Sequence, residues 1–239
     1  MLRCRPLAEL ARHFFTAASL NLRGDVTDAE WQMVAALAGV EPDRLRLLNQ
    51  VHGSDVVVVR RGEPAPPVRP QADAVVSDDP TVALVVRVAD CAPILLADER
   101  RGVVAAIHAG WRSTMGRIAV KAIEALAREF GSRPRDLRAA IGPSLGACCG
   151  EMGEEVVEAF RAAGHDALTL ERWFVRTPGR KPHFDLWRAN REQLQAAGVP
   201  ADAIHAAELC TRTHPDAFHS YRARGAGAGR MVAVIRARP

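Results

Sequence analysis

Ala89-Asp90-Cys91-Ala92-Pro93, followed one short hairpin later by Ile107-His108-Ala109-Gly110-Trp111-Arg112, is the stretch that decides the fold. Val82 to Val88 is almost continuously apolar and β-branched, which reads as a buried strand. Pro93 interrupts it, because proline has no N–H to give to a ladder. Ile94 to Ala97 is a second apolar run, Asp98-Glu99-Arg100-Arg101-Gly102 is a turn, and Val103 to Ile107 is a third strand. A hairpin centred on that turn sets Pro93 roughly opposite His108. Cys91 then comes within a residue or two of His108 across the ladder. A thiol and an imidazole at the same end of adjacent strands are placed for chemistry.

The surrounding chain bounds that chemistry. The 239 residues, 48% of them apolar, are enough to bury a sizeable core, as one large domain or two small ones. No apolar run approaches the ~20 residues of a membrane helix. Arg3, Arg5, Glu9 and Arg12 break up any signal-like stretch at the N-terminus. The cysteines (Cys4, Cys91, Cys148, Cys149 and Cys210) are odd in number and lack a secretory context, so they read as reduced thiols of a cytoplasmic protein. Net charge is +4, carried almost wholly by arginine, since Lys121 and Lys181 are the only lysines. No basic run is interleaved with aromatics. The pattern argues against nucleic acid and for small anionic substrates.

Working outward, Thr27-Asp28-Ala29-Glu30 is a capping box before a helix with Trp31, Val34, Ala35 and Ala38 on one face, ended by Gly39. Leu45 to Val51 reads as a strand, as do Asp55 to Val59 and Asp73 to Val76. The proline-rich segment 63–70 between the last two is an exposed connection. Met115, Ile118, Ala119, Ala122, Ile123, Leu126 and Phe130 share one helical face, with the start near Ser113 or Thr114 and a stop at Gly131. Gly110, Trp111 and Arg112 then lie at a helix N-terminus, where free amides beside an Arg make an anion pocket. Arg138 to Ile141 is a strand. Helices follow at about 153–163 and after Asp185, which caps a run ended by Gly198. Met231 to Ile235 is the closing strand, and the Gly225–Gly229 run before it reads as a hairpin turn, since it opens no helix. Strands outnumber crossover helices. The expected class is a mixed α/β or α+β sheet rather than a doubly wound parallel one, with α+β and a largely antiparallel sheet preferred.

Two chemistries fit Cys91 and His108. They can form a thiolate nucleophile with its base, as in a cysteine hydrolase or amidase. Alternatively, one thiolate and two imidazoles bind zinc and leave a fourth position for water, whose pKa then falls to ~7. The second reading needs another imidazole, and His52 in Asn49-Gln50-Val51-His52-Gly53 is the best placed because it too follows a strand. Spacing alone does not choose between them. Taken singly, each histidine is as readily structural as functional. Cys148-Cys149 reads as packing beside the loop Gly142–Gly146.

Together, Asn49-Gln50-Val51-His52-Gly53, Ala89-Asp90-Cys91-Ala92-Pro93, His108-Ala109-Gly110-Trp111-Arg112, Ile141-Gly142-Pro143, Asp185-Leu186, Cys210-Thr211 and Ser220-Tyr221-Arg222 resemble, in this order, the laccase-domain (polyphenol oxidase-like) family of purine nucleoside-processing enzymes. The resemblance runs from about Ser19 to the C-terminus. It implies a compact single domain over 1–239 with the sheet packed between helices, zinc bound by His52, Cys91 and His108, phosphorolysis of adenosine, inosine, guanosine and methylthioadenosine, and deamination of adenosine. A deaminase needs a carboxylate to move protons, and Asp90 and Asp73 are the choices. Phosphate needs bidentate donors, for which Arg112 and Arg222 are chosen. Asn21, Asn49 and Gln50 are expected at the nucleoside. Ser113 stands where the family usually has glycine, and the stretch after Asn21 also departs from the family pattern. The expected partners are purine nucleosides and phosphate, with no nucleic acid or membrane, and the expected state is a monomer. A copper polyphenol oxidase fits poorly, because eight histidines without a His-x-His pair cannot ligate four coppers in the usual way. A zinc-stabilised binding module is the non-enzymatic alternative.

Overall fold

The computed structural model describes residues 1–23 and 28–238. The strands in chain order are β1 (Ala11–Phe15), β2 (Leu45–Leu47), β3 (Val56–Val59), β4 (Ala74–Ser77), β5 (Ala83–Val88) and β6 (Ala92–Asp98). They continue with β7 (Val104–Ala109), β8 (Leu137–Ile141), β9 (Phe174–Val175), β10 (His183–Phe184), β11 (Ile204–Ala206) and β12 (Met231–Ala237). The helices are α1 (Arg5–Ala8), α2 (Ala29–Ala38), α3 (Trp111–Met115), α4 (Ile118–Phe130), α5 (Glu154–Ala162), α6 (Ala167–Trp173), α7 (Leu186–Ala196) and α8 (Tyr221–Arg224).

Two sheets carry the core. One has the order β1-β12-β5-β2 and the other β11-β8-β6-β7-β4-β3, while β9 and β10 pair separately. Among the described strands, β2–β5, β3–β4 and β8–β11 are the parallel pairs, and the other strand pairs are antiparallel. The two sheets face each other: Leu84, Val86 and Ile235 of the first pack against Leu95, Ala97, Val104 and Ala106 of the second. The outer face of the first is covered by α2 through Trp31, Val34 and Ala35, packed with Phe14, Val85 and Val234. The outer face of the second, with Ile94, Leu96 and Ile107, is covered by α4 through Ile118, Ala122, Ile123 and Leu126. The resulting order is helix, sheet, sheet, helix. Strands such as β5 and β6 send alternate residues to two apolar faces, which is why they read as continuous hydrophobic runs. The mixed, largely antiparallel α+β class holds, with two sheets between the helices rather than one.

The central hairpin has the expected register, with Pro93 opposite His108 and Ala92 opposite Ala109. Pro93 is tolerated as the second residue of β6; its carbonyl accepts the Gly142 N–H at 2.9 Å. Gly39 caps α2 in the left-handed conformation, and the Asp185 carboxylate accepts the Arg188 N–H at the start of α7.

Other expectations need correction. The helix placed from Ser113 onward is two helices, because Arg117 takes a left-handed backbone conformation (φ 57°) between α3 and α4. The amides at Gly110–Arg112 therefore head a five-residue helix with a weak dipole. The strand at Leu45 ends at Leu47, and Asn49 keeps only a single bridge to Gln71. The capping box falls on Thr27, which lies outside the described residues; the Glu30 carboxylate accepts the Asn21 N–H. Gly225–Gly227 is a 3-10 turn between α8 and β12, not a hairpin turn. The sequence reading did not place α1, β1, α6 or the β9–β10 pair. Among the described residues no helix is long and apolar enough to cross a membrane.

Candidate active site

The β6–β7 ladder brings the first two groups together. Extending its register past Ala92–Ala109 sets Cys91 against Gly110, one step beyond His108. A Cβ on Gly110 would sit 2.9 Å from Cys91 Sγ and 3.2 Å from a His52 ring carbon, so only glycine leaves room for both side chains. On the other side of β7, the His108 N–H donates to the Asp73 carbonyl at 2.7 Å.

The third group arrives through a turn. His52 has φ 58°, in the left-handed region that costs a non-glycine residue energy. The buried Asp73 carboxylate holds that turn: it accepts the N–H groups of Val51 (3.2 Å), His52 (3.0 Å) and Gly53 (2.7 Å). The same carboxylate accepts His108 Nδ1–H at 2.7 Å. The His52 and His108 rings meet edge to face, with centroids 4.9 Å apart. One donor atom each from His52, Cys91 and His108 lies within 4.8 Å of the others.

The electrostatics favour an ionised thiol. Burial pushes Cys91 up, but the charge and hydrogen bond of His108, then those of His52, bring it down to about 6. Burial pushes His108 down, but the Cys91 thiolate, followed by the Asp73 hydrogen bond, lifts it to about 9. Burial raises the Asp73 carboxyl, and His108 with the turn amides outweighs it, leaving the group below its usual range.

These donors fit zinc. Two imidazoles and a thiolate form a three-ligand set with an open side, and Asp73 behind His108 fixes the ring so that Nε2 is the free nitrogen. Among the described residues, two groups of three metal-binding side chains come together. Only the His52 group contains histidine, and it has two, so nothing described gathers the imidazoles of a four-copper oxidase.

The group opens onto a cavity of about 740 Å³. Asp90 lines it, whereas Asp73 does not. Asp90 has φ 90°, and its carboxylate accepts the Thr211 hydroxyl and the Arg222 N–H, each at 2.5 Å. Arg112 also lines the wall, with its guanidinium stacked 4.2 Å over the Trp111 ring. The Arg222 guanidinium donates to the carbonyls of Glu151 (2.9 Å) and Cys149 (3.3 Å) at the cavity edge. Gln50 lines the cavity too, but its amide is paired with both main-chain groups of Arg87 at 2.8 Å. Asn21 and Asn49 are not brought into the lining. Ser113 is buried in α3 with its hydroxyl unpaired and does not line the cavity either.

Sequence reasoning missed Arg23, Arg87 and Arg230, which line the cavity beside the first sheet. Arg87 carried a usable signal, since it is the lone charge in the apolar run Val82–Val88. None of the guanidinium groups of Arg23, Arg87, Arg112, Arg222 and Arg230 has a carboxylate partner among the described residues. The cavity is therefore positively charged and suits an anionic ligand.

Known proteins resemble this chain over most of its length. A purine nucleoside phosphorylase of Deinococcus radiodurans is 41% identical over 205 residues, covering 84% of this chain and 74% of that protein. One from Bacteroides thetaiotaomicron is 41% identical over 164 residues, 68% of this chain and 60% of the relative. Adenosine deaminase RL5, from an unknown prokaryotic organism, is 39% identical over 217 residues, 88% of this chain and 81% of that one. The crystal structure of the Bacillus licheniformis hypothetical protein YfiH superposes with a TM-score of 0.84 at 25% identity, covering 97% of this chain and 94% of its own. That of YlmD from Geobacillus stearothermophilus gives 0.81 at 31% identity, covering 96% and 90%. The family model described as multi-copper polyphenol oxidoreductase laccase matches residues 15–238, and the chain belongs to that family.

Proposed function

We propose that the chain is a zinc-dependent purine nucleoside enzyme that phosphorolyses adenosine, inosine, guanosine and methylthioadenosine and deaminates adenosine. The observation that carries the reading is the His52–Cys91–His108 group opening onto a positively charged cavity that also holds a carboxylate, Asp90. The relatives named purine nucleoside phosphorylase and adenosine deaminase support it from outside.

His52, Cys91 and His108 would hold the zinc, which would supply Lewis-acid activation of water at neutral pH. The chain's own residues do the rest. Asp90, aimed by Thr211 and the Arg222 amide, moves a proton to or from the purine base. Arg112 and Arg222 hold phosphate with charge-assisted bonds. Gln50, its amide half used by Arg87, has one N–H and one lone pair left for the nucleoside. Asp73 is a positioning residue that acts through His52 and His108. No role at the nucleoside is proposed for Asn21 or Asn49.

The test incubates the purified chain with inosine and phosphate, and separately with adenosine in phosphate-free buffer. The expected products are hypoxanthine with ribose 1-phosphate in the first case, and inosine with ammonia in the second. Absence of both would reject the reading.

One observation favours a second reading. Cys91 at about 6 beside His108 at about 9 is a thiolate–imidazolium pair, the arrangement of a cysteine hydrolase. Amide or ester hydrolysis by metal-stripped protein, abolished by Cys91 alkylation, would support it over the first.

A further inference from the structure

We propose that Cys148, Cys149 and Cys210 form a second metal site, separate from the His52 group, that takes one thiophilic d10 cation, Zn2+ or Cu+, through three sulfur ligands. The inference stands independently of the nucleoside reading. The three Sγ atoms all lie within 4.8 Å of one another, and those of Cys148 and Cys149 are 3.7 Å apart. An ion about 2.3 Å from three sulfurs needs them roughly 3.8–4.0 Å from each other, so little movement is required. Soft thiolate sets of this kind select Cu+ and Zn2+ over harder cations.

Backbone pairing, not chance contact of side chains, sets this approach. Ser144 and Cys210 form a parallel bridge, with the Ser144 N–H on the Leu209 carbonyl (3.2 Å) and the Thr211 N–H on the Ser144 carbonyl (3.0 Å). A 3-10 turn, Ala147–Cys149, then delivers the adjacent pair, closed by the Cys149 N–H on the Gly146 carbonyl at 3.0 Å. Cys148 is exposed, Cys149 half-buried and Cys210 buried, so an ion enters from solvent and ends against the interior sulfur. All three thiols are free.

The local charge agrees. The N–H groups of Gly146 and Thr213 face the Cys210 sulfur and favour its thiolate. A cation takes the place of the thiol protons, which leave to solvent as it binds. The site also braces the cavity. The segment leading into its turn carries the Leu145 N–H onto the Asp90 carbonyl (2.8 Å), and Thr211, next to Cys210, holds the Asp90 carboxylate.

The test uses the unmutated chain, stripped of metal, reduced and kept anaerobic. Zn2+ is added in one arm and Cu+ in the other, and native-state alkylation of each cysteine is followed by peptide mass spectrometry. With free ion at about ten times its Kd, labelling of Cys148, Cys149 and Cys210 should slow together about tenfold. The arm in which this happens names the ion, and Cys4 should label at an unchanged rate. Cys148→Ser should bind one equivalent fewer of that ion while Cys91 stays protected. Unchanged labelling of Cys148 and Cys149 in both arms, or full stoichiometry in Cys148→Ser, would overturn the proposal. Neither result bears on nucleoside turnover.

Discussion

The Asp73 carboxylate accepts His108 Nδ1–H at 2.7 Å, and its remaining lone pairs take the amides of the turn that carries His52. One buried side chain thus fixes two proposed metal ligands that lie 56 positions apart in the numbering (108 − 52). Asp73→Asn keeps the volume but sets an NH2 against donors. Zinc affinity, read by competition with a chromophoric chelator, should fall about 10–100-fold. Loss of these bonds to a buried charge should cost about 1–3 kcal/mol in denaturant unfolding. Unchanged zinc affinity would show that Asp73 does not position the ligands.

Gly110 offers a second test that removes no ligand. A methyl there lands 2.9 Å from Cys91 Sγ and 3.2 Å from the His52 ring, displacing two of the proposed ligands. Gly110→Ala should therefore lose most bound zinc while keeping its circular dichroism spectrum. Full occupancy in that variant would mean the donors gather differently.

The metal-free protein has a pH signature. Cys91 is lowered from 9.0 to about 6, so its thiolate persists down to that pH and is lost below it. Its stabilising contribution is complete above the unfolded value and disappears as pH falls through about 6. His108 is raised from 6.5 to about 9, so its contribution is complete below 6.5 and disappears as pH rises through about 9. Iodoacetamide should alkylate Cys91 of the stripped protein at a nearly level rate from pH 7 upward, with the rate halving near 6. A midpoint near 9 would contradict the pairing.

Arg112 separates the two reactions, because phosphorolysis needs phosphate and deamination needs only water. Removing one charge-assisted bond withdraws about 1.5–3 kcal/mol, or roughly one to two decades in rate. Arg112→Ala should depress inosine phosphorolysis by that factor and raise the phosphate needed. Conversion of adenosine to inosine without phosphate should change little. An equal fall in both would assign Arg112 to the nucleoside or the fold.

Much of this arrangement is legible in the sequence. The turn at Asp98–Gly102 and the proline at 93 set the hairpin register, and with it the approach of Cys91 to His108. Strong periodicity gave the helical face from Ile118 onward, but not the left-handed Arg117 that splits off α3, because nothing local marks a non-glycine residue in that conformation. The β1 strand escaped notice because His13 is buried among apolar neighbours and breaks any alternation. Asp73 looked like a proton shuttle. Its actual partners, three amides some 20 positions earlier and an imidazole 35 later, exist only after the sheet has formed. The grouping of Arg23, Arg87 and Arg230 along one wall is likewise a product of tertiary structure, although Arg87 stood out as a charge inside a buried strand.

The central claim is that zinc on His52, Cys91 and His108 drives nucleoside turnover in a fold that does not need it. The measurement is phosphate-dependent release of hypoxanthine from inosine by the untreated, the chelator-stripped and the zinc-restored chain, with far-ultraviolet circular dichroism recorded on each. The account predicts that stripping abolishes turnover, that one equivalent of zinc restores it, and that the dichroism is the same throughout, since the core is large enough to fold without metal. Full turnover by stripped protein, or collapse of the dichroism on stripping, would contradict it.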